Sequence, residues 1–362
     1  MTLSKCDSFS ILLLQNVKSK SNRIRASDKM TLPDIKNDWV ALSRRVLGGE
    51  GIRRDEALGI LKSGENELLG LLHAAFLLRQ HYFDRKVSLH VILNAKSGGC
   101  SEDCSYCSQS SASTGVVPCY PLQSEEELLQ GAKQAQEMGA IRYCIVTSGR
   151  SPAREDLDRI TSAVRRIKSK YPLSICVSLG ILNDEQAAEL KAAGVDRYNH
   201  NLESSERFFP SICTTHSYAE RKATAARVKL AGMELCSGGL MGMGETLEDR
   251  VDLALAMRDV KADSIPLNFL DPRPGTGLSN RPRIPAGDVL RTLAMFRFVH
   301  PDREIRIAGG REACLGPLQV LALYPANSMF TSGYLTTPGQ GYQADRRMLE
   351  MAGFKVVEIT DA

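Results

Sequence analysis

From residue 88 onward the chain alternates short apolar runs with amphipathic helical stretches, and no other property of the sequence restricts its fold as strongly. Strand-like runs occupy 88–95, 142–147, 174–179, 197–202, 234–241, 264–270, 304–308 and 328–335. Helical periodicity fills much of the space between them, at 124–138, 155–170, 184–193, 218–231, 247–260 and 288–299. This rhythm is that of parallel βα units. Eight such units close most simply into an α/β TIM-type (β/α)8 barrel, in which functional groups collect at the C-terminal ends of the strands. An open doubly wound sheet satisfies the same alternation, so the pattern alone does not decide closure. The barrel is expected over 87–356 with a helical N-terminal lead-in over 36–86, broken at Gly48-Gly49-Glu50-Gly51, and a C-terminal tail over 357–362.

A chain of 362 residues accommodates one such barrel with appendages. Its 46 basic and 42 acidic residues balance to +4 without a concentrated basic face, which excludes an electrostatic case for nucleic acid. No apolar run reaches the roughly 20 residues a membrane-spanning helix needs, so no membrane partner is expected. Ten cysteines without a secretory signal read as reduced thiols and metal ligands, which points to the cell interior. Residues 1–29 are rich in Ser, Lys and Arg and poor in acids. We read 1–35 as a disordered or spurious extension and the location as cytoplasmic; a mitochondrial location follows if the extension is a transit peptide.

Cys100, Cys104 and Cys107 follow the first strand directly, in Ser-Gly-Gly-Cys-Ser-Glu-Asp-Cys-Ser-Tyr-Cys. The spacing C-x3-C-x2-C gathers three thiolates on one loop, enough for three irons of a 4Fe-4S cluster, and leaves the fourth iron open to a chelating small molecule. A structural zinc site with a distant fourth ligand is the competing reading.

Barrel interiors are normally aliphatic, so polar residues within the strands need a reason. Cys144, Cys176 and Cys236 lie on the second, third and fifth strands, and closure would let them converge on the axis. Convergent thiols of this kind suit a 2Fe-2S cluster, which needs a fourth ligand. Arg311, after the seventh strand, reads by composition as an anion-binding arginine. Asn199 and Asn201 share one face of the fourth strand and suit a neutral polar group such as a ureido ligand, while His200 points the other way. Arg221, on the next helix, could pair with a carboxylate. Gly238 to Gly244 permit close backbone approach to a ligand.

The segments Gly-Gly-Cys-Ser-Glu-Asp-Cys-Ser-Tyr-Cys-Ser-Gln-Ser-Ser, Tyr-Asn-His-Asn-Leu-Glu, Leu-Cys-Ser-Gly-Gly-Leu-Met-Gly-Met-Gly-Glu-Thr, Ile-Pro-Leu-Asn-Phe-Leu and Ala-Gly-Gly-Arg-Glu occur in order between about residues 65 and 356. Together they resemble the biotin synthases, a family of the radical S-adenosylmethionine (SAM) superfamily. The resemblance implies that Cys100, Cys104 and Cys107 hold a 4Fe-4S cluster that chelates SAM, and that Cys144, Cys176, Cys236 and Arg311 hold a 2Fe-2S cluster that donates sulfur. It places Asn199, Asn201 and Asn268 near dethiobiotin or SAM, and Glu203 and Arg221 at the SAM ribose and carboxylate. The implied reaction inserts sulfur between two unactivated carbons of dethiobiotin, in a homodimer supplied with electrons by a donor such as flavodoxin or ferredoxin. Another barrel radical SAM enzyme, related to the hydrogenase-maturation proteins, shares the first cluster but has no need of the three strand cysteines. Residues 1–29 have no counterpart in this resemblance, and Cys314 is an extra thiol expected to pack in a helix.

Overall fold

The computed structural model describes residues 37–337 and 339–359. The expected extension over 1–35 therefore lies outside the described residues, as do residues 360–362 of the expected tail. Ten strands are described: β1 (Lys86–Lys96), β2 (Arg142–Thr147), β3 (Ser174–Ser178), β4 (Arg197–Asn199), β5 (Glu234–Cys236), β6 (Gly239–Met241), β7 (Ser264–Phe269), β8 (Glu304–Ile307), β9 (Ser328–Phe330) and β10 (Lys355–Val356). All the pairings between these strands are parallel, in the order β1-β2-β3-β4-β5-β7-β8-β9, and β9 pairs back onto β1. The sheet is thus a closed barrel, with β6 paired to β7 and β10 added beside the start of β1.

The fifth expected run, 234–241, is divided by Ser237-Gly238 into β5 and β6. A Cβ at Gly238 would lie 1.9 Å from the Pro266 carbonyl oxygen, so the two backbones meet here only because the side chain is missing. The fourth run stops at Asn199 rather than 202, and Glu203 adopts a left-handed φ of 69° just beyond it. The eighth stops at Phe330, and the segment after it, Thr331 to Thr337, forms a strap whose residues 334–337 line the barrel's cavity.

Three helices precede the barrel: α1 (Trp39–Leu47), α2 (Arg54–Leu61) and α3 (Leu68–Phe83). Those that follow are α4 (Glu125–Glu137), α5 (Arg154–Lys170), α6 (Asp184–Ala192), α7 (Tyr218–Leu230), α8 (Leu247–Asp259), α9 (Ala286–Val299), α10 (Arg311–Leu315) and α11 (Tyr342–Met351). Four of the crossover helices start on the same device. Ser124, Asn183, Ser217 and Thr246 each accept from the third residue of their helix, and Glu127, Gln186, Glu220 and Asp249 reach back to the cap. This reciprocal capping satisfies backbone donors that a helix start leaves open. Among the described residues no helix is long and apolar enough to cross a membrane.

The two ends of the barrel differ. At the strand starts, the fully buried Arg79 of α3 donates to the Lys86 and Ala326 carbonyls, and Arg297 of α9 donates to those of Pro325 and Arg303. Burial lowers both guanidiniums, to about 10 and about 9. These carbonyl-bound arginines tie the helices to the strand starts. The opposite end carries the loops described next.

Candidate active site

Asp103 fixes the cysteine loop. Its carboxylate accepts from the Thr214 backbone at 2.9 Å and from the Thr214 and Thr215 hydroxyls, and the Thr214 hydroxyl above all holds it far below the usual carboxylate range. Ser105 N–H adds a bond to the Ile212 carbonyl at 2.9 Å. Loop 97–111 is thereby tied to the segment before α7, and Cys104 comes to lie 3.7 Å from Cys213, sulfur to sulfur. The hydrogen bond that Cys104 gives to Cys213, together with burial, raises the Cys104 thiol; burial raises Cys107.

Cys104, Cys213 and His216 lie close enough to suggest one metal ion. The histidine argues otherwise. Its Nε2 faces Arg221 Nε at 2.9 Å, and its Nδ1 is bonded to Glu102, so both ring nitrogens are already engaged. Cys100 and Cys107 stand outside that trio, as suits thiols that each bind their own iron rather than share one ion. Cys213 and His216 were missed at the sequence level, although Cys-Thr-Thr-His before a capped helix was a visible signal.

The strand cysteines converge. Cys144 and Cys176 are register partners on β2 and β3 and pack in one buried cluster, and Cys176 is pushed up to about 12, mainly by its neighbour Cys144. Cys236, the last residue of β5, is near enough to Cys176 for each to influence the other's ionisation, and burial drives its thiol well above its ordinary value. The three buried thiols are therefore neighbours within the barrel, a donor set suited to a small iron-sulfur cluster.

The arginine beside them is Arg306, and this corrects the expectation for Arg311. Arg306 lies on β8, where alternation turns it inward, and its Nη1 stands 3.6 Å from Cys236 Sγ. Burial alone would lower its pKa, but the Glu304 carboxylate, which it also bonds, keeps the group firmly cationic. Its Nε is buried without a hydrogen-bond partner, and the guanidinium lies over the Phe330 ring. Arg311 opens α10 beyond the strand and is spent elsewhere: it bonds Asp345 at 2.9 Å, Gln319 at 2.7 Å and Glu312 at 2.7 Å. Cys314 packs with its sulfur against the Leu270 carbonyl, away from the other thiols.

A cavity of about 280 Å³ joins the two sets, lined by Cys107 from the loop and by Cys144, Cys176 and Arg306 from the barrel. Asn199, Asn201, Glu203 and Asn268 line it as well. Asn199 donates to Cys236 Sγ at 3.2 Å and to Asn201, while Asn268 spans the Gly239 carbonyl and the Gly309 amide. Glu203 is raised by burial and partly restrained by Arg221, 3.8 Å away. Arg221 is buried beside Glu203 and donates to the Asn201 carbonyl at 2.7 Å. His200 is buried and held neutral, mainly by desolvation.

The radical SAM superfamily model matches residues 95–257, and the biotin and thiamin synthesis associated domain matches 266–355. The chain is 48% identical over 323 residues to a biotin synthase of Salinibacter ruber, covering 89% of this chain and 90% of the relative. It is 49% identical over 324 residues to one of Halalkalibacterium halodurans and 46% identical over 325 to one of Bacillus subtilis, each covering 90% of this chain and 97% of the relative. Among solved structures, methylornithine synthase superposes with a TM-score of 0.79 at 20% identity, over 88% of this chain and 98% of that one. The hydrogenase maturase HydG of Carboxydothermus hydrogenoformans does so with a TM-score of 0.76 at 18% identity, over 88% and 79%. At such identities the structural likeness speaks for the fold alone, whereas the sequence identities speak for the family. The chain belongs to the biotin synthase family of radical SAM enzymes.

Proposed function

We propose that this chain converts dethiobiotin to biotin by SAM-dependent radical sulfur insertion, with its two cysteine sets serving separate clusters. The observation that carries this reading is the single cavity shared by Cys107 and by Cys144, Cys176 and Arg306. Saturated carbons have no acidic proton for a base to remove, so a radical must be made and trapped within one enclosed space. Cys100, Cys104 and Cys107 would hold a 4Fe-4S cluster that chelates SAM, and Cys144, Cys176 and Cys236, with Arg306 beside them, a 2Fe-2S cluster. When bound, the first supplies the electron that cleaves SAM and the second supplies the sulfur.

The chain's own residues orient the reactants. Asn199 and Asn268 offer amide groups to a ureido ring, and Glu203 offers a carboxylate to ribose hydroxyls, with Arg221 beside it. Ile92, Val146, Val177, Leu240 and Phe330 give the cavity apolar walls that keep water from the reacting carbons. Arg306 keeps a fixed positive charge beside the strand thiols, which favours their anionic form. Electrons would come from a donor such as flavodoxin or ferredoxin, acting on a cytoplasmic homodimer.

Anaerobic reconstitution with iron and sulfide tests the reading. Mössbauer spectra should resolve one 4Fe-4S and one 2Fe-2S cluster per chain, and reduction with SAM and dethiobiotin should yield 5'-deoxyadenosine and biotin. Release of 5'-deoxyadenosine without biotin would instead mark another radical SAM reaction.

A further inference from the structure

The cavity mouth carries a charge that the scheme above does not use. Arg273 follows β7 in Leu-Asp-Pro-Arg-Pro-Gly-Thr, where prolines on both sides restrict the backbone. The residue lines the cavity, and its guanidinium donates to Thr337 Oγ1 at 2.9 Å and lies 2.7 Å from Asp271. Asp271 is shared with Arg283 at 2.8 Å, so two guanidiniums meet one carboxylate and one positive charge is left over. Arg273 retains 41% of its side-chain exposure, against 15% for Asp271, which makes the cation the reachable member. Other charged groups in the cavity lining are committed: Arg306 to Glu304 and Glu203 to Arg221.

The geometry points to Arg273 as a specificity-determining residue that pairs with the carboxylate at the end of the substrate's aliphatic chain. This rests on the reading of dethiobiotin as substrate, and it assigns the outer end of that molecule. A chain that is apolar along its length and anionic at its tip requires apolar walls ending at a cation. Ile92, Val146, Leu240 and Phe330 provide the walls and Arg273 the cation. A guanidinium also matches a carboxylate in shape, with two parallel N–H donors.

The test compares dethiobiotin with its methyl ester, which keeps the ring and chain but removes the charge. Reconstituted full-length enzyme, with SAM present, should bind the acid about tenfold more tightly than the ester, the size expected of a charge-assisted pair at a half-exposed position. Arg273→Met should weaken binding of the acid about tenfold, raise KM for it in parallel, and alter binding of the ester less than about twofold. Arg273→Lys should recover part of the preference. If Arg273 merely clamps the strap through Thr337, the Met variant weakens acid and ester alike, and that result overturns the assignment. The binding measurement decides this even if neither compound is turned over, an outcome that would count against sulfur insertion instead.

Discussion

Arg306 and Cys236 face each other across the barrel interior, Nη1 to Sγ at 3.6 Å, and this contact distinguishes the arginine of the thiol cluster from its neighbour five residues on. The two arginines should fail in different ways. Arg306→Met is expected to lower biotin formation at least tenfold and to change the visible spectrum of the 2Fe-2S cluster while SAM cleavage persists. Arg311→Met removes the ion-pair partner of the fully buried Asp345, leaving it the Thr331 and Gln340 hydrogen bonds, and should cost about 3 kcal/mol of stability, with cluster content unchanged per folded chain. Iron analysis alongside urea denaturation separates them, and a loss of 2Fe-2S in the Arg311 variant alone would reverse the assignment.

The cysteine sets should also separate by the step each supports. Cys104→Ala should abolish SAM cleavage, because one of three loop thiolates is gone. Cys176→Ala should leave some cleavage but remove biotin, because Cys176 neighbours both Cys144 and Cys236 and its loss takes one thiolate from the second set. Production of 5'-deoxyadenosine and of biotin, quantified in the same reaction, checks both. Full biotin yield from Cys176→Ala would defeat the second-cluster assignment.

Periodicity located the strands and helices because a closed parallel barrel buries its strands on both faces, and that burial writes continuous apolar runs into the chain. The loop cysteines were equally legible, since their spacing is local. Arg306 was not. Residues Glu304 to Ile307 show that a charged side chain sits within a strand, but its inward direction and its distance from Cys236, 70 positions earlier, depend on barrel closure. Arg311 enters the second set only through the resemblance in Ala-Gly-Gly-Arg-Glu, whereas here a buried aspartate on α11 pairs with it. Cys213 and His216 illustrate the same limit, for they are brought to Cys104 by hydrogen bonds between loops more than 100 positions apart, those that Asp103 accepts from Thr214 and Thr215 among them.

Gly239→Ala tests how closely backbone packing positions Glu203. A Cβ at residue 239 would lie 2.4 Å from the Glu203 carbonyl oxygen and 2.6 Å from a Leu253 methyl group. The leucine can shift, but the carbonyl belongs to a residue already in the left-handed region, so β6 and Glu203 must move apart. The expected result is a rise in KM for SAM of about tenfold or more, together with a fall in stability of a few kcal/mol. Kinetics at saturating dethiobiotin would show it, and an unchanged KM for SAM would mean that Glu203 does not contact the cofactor.

His300 gives a pH dependence whose sign follows from its surroundings. It lies at the end of α9, its Nε2 donating to the Ala254 carbonyl at 2.8 Å, and burial lowers its pKa from 6.5 to about 3. Between those values the unfolded chain binds a proton that the folded one refuses, so stability rises with pH across the window and is lost as pH falls below 6.5. The slope from this one group is about 1.4 kcal/mol per pH unit, or about 2 kcal/mol between pH 6.5 and 5. Buried His90 and His200 are shifted in the same direction, so the total acid sensitivity exceeds that of His300 alone. His300→Gln places an amide donor where the Nε2 proton stood and removes the titration. Urea denaturation of the metal-free protein at pH 7.5 and pH 5.0 should therefore show the variant losing about 2 kcal/mol less than the wild type over that interval. Equal losses would mean that His300 takes up its proton without unfolding, and that its contact with Ala254 does not require the neutral ring.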